Sequence, residues 1–249
     1  MMLTLIVVVA AGSFAIFVNQ KQQSAQQQQL YDQQKQQENL EITGLNPRSS
    51  NGYFDQLNFS VASNHNLRSI VAKLMVNNYT ARNFNVSIFG QVPSSYNYLS
   101  NVSIEPHEQL IIMITPSDLF GNNVKFKSSD YVELTIHTDY QNTFSRVFMP
   151  PSAVIKLSTE SQWNASANHN TGNYTDYLIL DGSGSTAQSG SFLVSYQWNI
   201  ENTANHLKSL SLSGVKVRAD FPARGANWVN LTVEDNNGMI SVGSVIYYY

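Results

Sequence analysis

The chain has 249 residues, with 14 Lys and Arg against 17 Asp and Glu, for a formal net charge of −3. Charged residues make up only 12% and hydrophobic residues 42%; the usual charged share is ~25%, so surface polarity falls to Asn, Gln, Ser, Thr and Tyr. No basic stripe for nucleic acid is present, and the absence of cysteine excludes disulfides, thiol catalysis and cysteine metal sites.

Met1 to Val18 carries no charged residue. Its apolar positions are Leu3, Leu5, Ile6, Val7, Val8, Val9, Ala10, Ala11, Gly12, Phe14, Ile16, Phe17 and Val18. As a helix the run spans about 27 Å, enough for a bilayer core. No basic n-region precedes it and no cleavage site follows it, unlike an intact signal peptide. Two readings stay open: an ordinary single-span anchor, or a segment from which a short basic leader has been removed. The missing flanking charges favour the second, because an anchor uses them to set its orientation.

Asn19 to Glu41 is rich in Gln, at 20, 22, 23, 26–29, 33, 34, 36 and 37, and holds no Gly or Pro. A preformed apolar helix removes the nucleation cost, so the tract is expected to extend it. Thr43-Gly44, with Pro47 beyond, is the expected stop. The expectation is one helix over about residues 2–42, roughly 60 Å long. Its polar half is nearly uncharged and marginal alone in water. Among identical neighbours it could lay amide side chains against each other.

From Tyr53 the periodicity changes to two. Predicted strands are 53–62, 68–78, 83–90, 108–115, 130–138 and 143–149, separated by turn signals such as Pro93-Ser94-Ser95 and Gly121-Asn122-Asn123. No convincing helix follows Pro47. Met149-Pro150-Pro151-Ser152 marks a boundary, because adjacent prolines stiffen a joint and cannot sit inside a central strand. Beyond it, strands are predicted at 153–158, 177–181, 192–200, 208–212, 214–221, 227–234 and 239–248. The fold class expected is mainly β: a long N-terminal helix (1–44), then two Ig-like β-sandwich domains (45–151 and 152–249).

In the second half, Tyr177-Leu-Ile-Leu-Asp-Gly-Ser-Gly-Ser185 precedes Ser195-Tyr-Gln-Trp-Asn-Ile200 and Trp228-Val-Asn-Leu-Thr-Val-Glu-Asp-Asn-Asn-Gly238. These runs resemble the polycystic-kidney-disease (PKD) immunoglobulin-like domain over about residues 153–249. Glu201-Asn202-Thr203 stands where that family usually has Gly-Asp-Gly. The resemblance implies an Ig-like sandwich, an extracellular spacer or adhesion role, and no catalysis. Independently, Trp198 with Tyr196 would fill an inter-sheet core.

Sequons occur at Asn58, Asn78, Asn85, Asn101, Asn164, Asn173 and Asn230, all beyond residue 50. As a set they point to an exported surface with N-linked glycans, mostly at turns or strand edges. The histidines (65, 107, 137, 169 and 206) show no metal-ligand spacing and read as exposed loop residues. Asp176, Asp181, Asp235 and Asn237 would suit Ca²⁺ if they converged; the alternative is Asp and Asn capping their own loops. No other cofactor is implied. No catalytic motif stands on a strand–helix junction, and scattered carboxylates nominate no acid–base pair. The reading is of a structural protein, not an enzyme.

The whole layout resembles archaeal type IV pilin-like subunits, the adhesion pilin and archaellin group. The resemblance rests on the uncharged apolar helix Met1–Val18, its polar extension and a following β-sandwich with sequons. Leu5 departs from bacterial pilins, which carry Glu there. The resemblance implies storage in the membrane after leader removal, then a homopolymer through bundled N-terminal helices, with β-domains outside the cell-surface filament. A second, PKD-like domain is unusual for that group. Alternatives are a monomeric membrane-anchored surface protein, an accessory subunit of a membrane complex, or a carbohydrate-binding adhesin using Trp163, Tyr96 or Tyr98. The final Val245-Ile-Tyr-Tyr-Tyr249 is read as a closing strand in preference to a strand donated to a neighbour.

Overall fold

The computed structural model describes residues 2–88, 93–97, 101–121, 123–161, 176–206, 209–219 and 225–248; within these, the side chains of 2–18, 159–161 and 176–177 are not described. A single long helix, α1 (Met2–Gln37), precedes a chain dominated by antiparallel strands. The helix is about 54 Å long.

It stops five residues short of the expected end. Leu40, Ile42 and Leu45 are buried in β1 (Leu40–Ser50), not on a helix face. Gly44 is no helix cap: it sits at φ +58 inside the strand, where the pairing with β2 (Tyr53–Ser63) shifts by one residue. That bulge lets Leu45 regain the inward face after Ile42, which a strict period of two would forbid. Core burial of three large apolar side chains, at about 1.5–3 kcal/mol each, outweighs the helix propensity of the sequence around them.

The strands β3 (Ser69–Val76), β4 (Tyr79–Thr80), β5 (Asn83–Ile88), β6 (Ser94–Asn97), β7 (Val102–Ile104), β8 (Gln109–Ile114), β9 (Val132–Thr138) and β10 (Thr143–Phe148) follow. They form one sheet in the order β1-β2-β8-β5-β6 and another in the order β10-β9-β3-β4, with β7 also on β3. Both sheets contribute to one buried cluster, including Phe54, Leu57, Phe59, Leu74, Ile104, Leu110, Ile112, Leu134, Ile136 and Phe148. Val132, Leu134 and Ile136 face in on β9, as the alternation predicts. Ser94 and Ser95, read as a turn, instead pair with Val86 and Asn85. Among the described residues after Pro47, helical structure is limited to a single turn at Pro116–Asp118. Asn77 and Asn78, both at positive φ, join β3 to β4, as a two-residue hairpin turn requires.

After Phe148, Gln188 ties the chain down, accepting from Met149 N–H and donating to Val147 O. The remaining strands are β11 (Lys156–Ser161), β12 (Asp176–Asp181), β13 (Leu193–Asn202), β14 (Ser209–Ser213), β15 (Lys216–Ala219), β16 (Ala226–Asp235) and β17 (Ile240–Tyr248). They make sheets β11-β12-β15 and β14-β13-β16-β17 around a second buried cluster of Leu178, Leu180, Trp198, Ile200, Ala219, Val229, Leu231 and Val233. Trp198 is fully buried and its indole N–H donates to Gly214 O at 2.9 Å, which satisfies its one polar group. Val245 to Tyr248 lies in β17, antiparallel to β16 at the sheet edge.

Candidate functional site: the helix–sheet joint

Every described helix side chain from Asn19 to Leu30 is exposed. Contact with the strands begins at Tyr31, whose hydroxyl donates to Asp139 O at 3.2 Å and whose ring lies 5.8 Å from that of Tyr140. One turn later, Asn142 donates to Lys35 O at 2.7 Å. That amide satisfies one of the carbonyls that any helix leaves open at its C-terminus. The seat for the helix is therefore the β9–β10 hairpin, residues 139–142.

Glu38 completes the joint. Its side chain is 7% exposed, and its Oε2 accepts from Thr138 Oγ1 at 2.6 Å and Asn142 Nδ2 at 2.8 Å. Its Oε1 is buried and has no hydrogen-bond donor among the described residues. His65, which feels the Glu38 charge, and its partner Ser69 are buried too, as is Ser63. Leu67 N–H donates to His65 Nδ1 at 3.0 Å, so the proton sits on Nε2, which donates to Ser69 Oγ at 3.1 Å. Burial holds the imidazole below its usual 6.5; Glu38 opposes that shift and His107 adds to it. Burial, then the charges of Asp139 and Glu38, and Tyr31 raise the Tyr140 phenol. The joint thus concentrates polar groups in a chain whose charges are sparse. Its chemistry is positional: it fixes the last turns of a rod against the sheets.

The sequence reading of the histidines as exposed loop residues needs correction at His65, which is buried in this joint, and at His137, which is half-buried within β9. The His65 ring is held by the Leu67 amide and Ser69 hydroxyl, an environment that loop composition does not reveal. His107 meets Asn66 at 2.8 Å, His137 meets Thr143 at 2.9 Å, and His206 pairs with Glu201. His169 lies outside the described residues. Glu38 and Thr138 escaped the sequence reading; a buried carboxylate 100 residues from its hydroxyl partner leaves no local signal.

The sequons fall into two kinds. Asn78 and Asn101 are exposed at a turn and just before β7. Asn58, Asn85 and Asn230 lie within strands, each accepting on Oδ1 from a neighbour: Gln56, Ser95 and Ser244. All three occupy inner strands rather than turns or sheet edges. Asn164 and Asn173 lie outside the described residues, as do the side chains of Leu3, Leu5, Ile6, Val7, Val8, Val9, Ala10, Ala11, Gly12, Phe14, Ile16, Phe17 and Val18. Among the described residues no helix is long and apolar enough to cross a membrane.

The oxygen ligands considered for Ca²⁺ are engaged locally. Asp181 Oδ1 accepts from Ser183 N–H, and Ser183 holds that carboxyl below its ordinary 3.8. Asp235, 1% exposed, accepts from the Asn237 and Met239 amides at 2.9 Å each. The Asp176 side chain is not described, and no group of three His, Cys, Asp or Glu gathers among the described residues. Tyr96 stacks on Phe84 at 6.1 Å beside a crevice of about 250 Å³ lined by Val71, Leu74, Ala81 and Phe84; Trp163 and Tyr98 lie outside the described residues. Compared with known proteins, the chain matches no family model and no curated relative.

Proposed function

We propose that the chain is a structural subunit of an extracellular, archaeal type IV pilus-like filament, polymerising through its N-terminal helices with glycosylated β-domains outside. The observation that carries this reading is the stand-off of the helix. From Asn19 to Leu30 every side chain is exposed, and those of Ser24 and Gln28 donate within the helix, to Gln20 O and Asp32 Oδ1. A polar helix so exposed gains little from packing on its own sheets and is marginal in water. Neighbouring copies supply the missing contacts, and its amide side chains suit side-by-side hydrogen bonding. Beyond it, the apolar positions 3–18 pass from lipid to a helix bundle, where close packing decides the gain. The joint at Glu38 holds each rod at one attitude to its sheets.

The same reading takes both β-units as Ig-like sandwiches. In the second unit the orders β11-β12-β15 and β14-β13-β16-β17 correspond to A-B-E and C′-C-F-G in that fold, with Trp198 on the strand equivalent to C. The PKD-like role is a spacer or adhesion layer, without catalysis.

The test is expression of the full chain in an archaeal host, microscopy of sheared surface filaments and mass spectrometry of the subunit N-terminus. Filaments that contain the chain, lost in Val8→Asp with the β-units still folded, support the reading. Normal filaments from that variant overturn it. Detergent-soluble monomers without filaments indicate an anchored surface protein, and stable co-purification with other membrane subunits indicates an accessory role.

A further inference from the structure

The sheet β14-β13-β16-β17 turns a mixed face outward. Val229, Leu231 and Val233 of β16 go into the core, so Trp228, Asn230 and Thr232 project from the other side. The register with β17 sets Trp228 against Ile246, Asn230 against Ser244 and Thr232 against Val242. Trp228 is 49% exposed, Ile246 48%, Val242 56% and Tyr248 76%. The neighbours of β16 on this face from β13, Gln197, Asn199 and Glu201, the last directly opposite Trp228, are polar or charged. An apolar stripe therefore runs along the β16–β17 side, and a sequon stands in its middle.

From this geometry we infer that the stripe is covered by the chain's own N-linked glycan at Asn230, whose first sugar stacks on Trp228. The inference rests on the reading of the protein as an exported glycoprotein. Ser244 Oγ donates to Asn230 Oδ1 at 2.6 Å. That contact fixes the amide plane and leaves Nδ2 facing away from Ser244. Linkage consumes one Nδ2 proton and leaves Oδ1 intact, so the Ser244 bond survives glycosylation. Two strand residues on one face lie about 7 Å apart, a span that the first sugar bridges from Asn230 to Trp228. The axial C–H face of a pyranose then meets the indole face, removing apolar surface from water on both sides. Among the sequons within described strands, only Asn230 has an aromatic residue two positions before it; Asn58 follows Gln56 and Asn85 follows Asn83.

The transfer needs a polyprenyl-phosphate-linked sugar and a membrane transferase. Nδ2 attacks the anomeric carbon, and the C1–N bond forms as the C1–O bond to phosphate breaks. The polyprenyl phosphate leaves with the bonding electron pair, and the amide proton passes to a base. Transfer precedes closure of β16 between β13 and β17, and folding then delivers the sugar to the outer face.

The experiment uses the full chain from a glycosylating archaeal host in a Trp163→Phe background, so that buried Trp198 and exposed Trp228 are its only indoles. Glycopeptide mass spectrometry reads occupancy at Asn230, and acrylamide quenching reads access to Trp228. Expected are a glycan at Asn230, quenching that rises about twofold or more in Asn230→Gln as the indole is uncovered, and a drop in Tm that shrinks when Trp228→Ala is already present. Thr232→Ala, which keeps the amide and its Ser244 bond, should behave like Asn230→Gln. An empty Asn230 beside occupied Asn78 or Asn101 overturns the inference alone, as does an occupied Asn230 with unchanged quenching. Self-association of an unglycosylated chain through this face would assign the stripe to a second copy and overturn it as well. A chain bearing no sugar at any sequon defeats the glycoprotein reading and this inference together.

Discussion

Gly238 lies so close to Pro47 that a Cβ on it would stand 2.8 Å from the proline Cδ, and the next residue, Met239, is fully buried among core residues of the amino-terminal sheets. The hairpin between β16 and β17 thus inserts its tip into the other unit's core. Asp235 shapes that tip, accepting the amides of Asn237 and Met239. The two sets of sheets are coupled there by packing as well as by the Pro150-Pro151 connection.

Met239→Ala should therefore destabilise the amino-terminal unit although the residue belongs to the carboxy-terminal hairpin. Truncating a buried Met costs about 2–5 kcal/mol. Calorimetry of the full chain should show the first transition moving down while that of the unit around Trp198 moves less. Equal shifts in both would mean a single cooperative unit.

Gly238→Ala should act at the same place through the backbone. Gly238 sits at φ +69, where a side chain is strained, and the added methyl meets the Pro47 ring. The expected loss is about 1–3 kcal/mol, and chemical denaturation checks it. Gly52 is the control: φ is +78 but no atom lies within 4 Å of its Cβ position. Gly52→Ala should carry the backbone cost alone.

Thr138→Val keeps the shape of the joint and removes the hydroxyl that donates to Glu38. A buried carboxylate that loses one of two donors should cost about 1–3 kcal/mol. The informative readout is proteolysis of the full chain: cleavage between Asn19 and Gln37 should accelerate as the last turns lift from residues 139–142. Unchanged cleavage would mean that Asn142 and Tyr31 hold the helix without Glu38.

Acidification should loosen the same joint through His65. Its folded value lies below 6.5 because burial disfavours the charged ring. The unfolded chain then binds the proton first, so stability is complete above 6.5 and is lost as pH falls through the lowered folded value. Protonation also removes the Nδ1 lone pair that accepts from Leu67. Denaturation midpoints measured from pH 7.5 to 5 should fall, and His65→Gln should flatten that slope. An unchanged slope in the variant would assign the pH response to other groups.

The alternation of apolar residues fixes most strands locally. Val132-Glu-Leu-Thr-Ile136 can bury one face only as a strand, and Trp198 between polar neighbours needs an inter-sheet position. Those features are written in the chain because a period of two and a bulky indole constrain the backbone wherever they occur.

Helix length, the joint and the hairpin insertion are different. Local propensity favours helix through Leu40 and Ile42, and only burial against β2 and the amino-terminal core turns them into a strand. Thr138 becomes the partner of Glu38, and Met239 a core residue of distant sheets, through contacts spanning 100 residues or more. By itself the sequence determined the repeating patterns that make a long helix and strands. The tertiary structure alone decided where the helix yields to a strand and which buried polar groups meet, because burial and hydrogen-bond partners belong to the packed arrangement and not to any one segment.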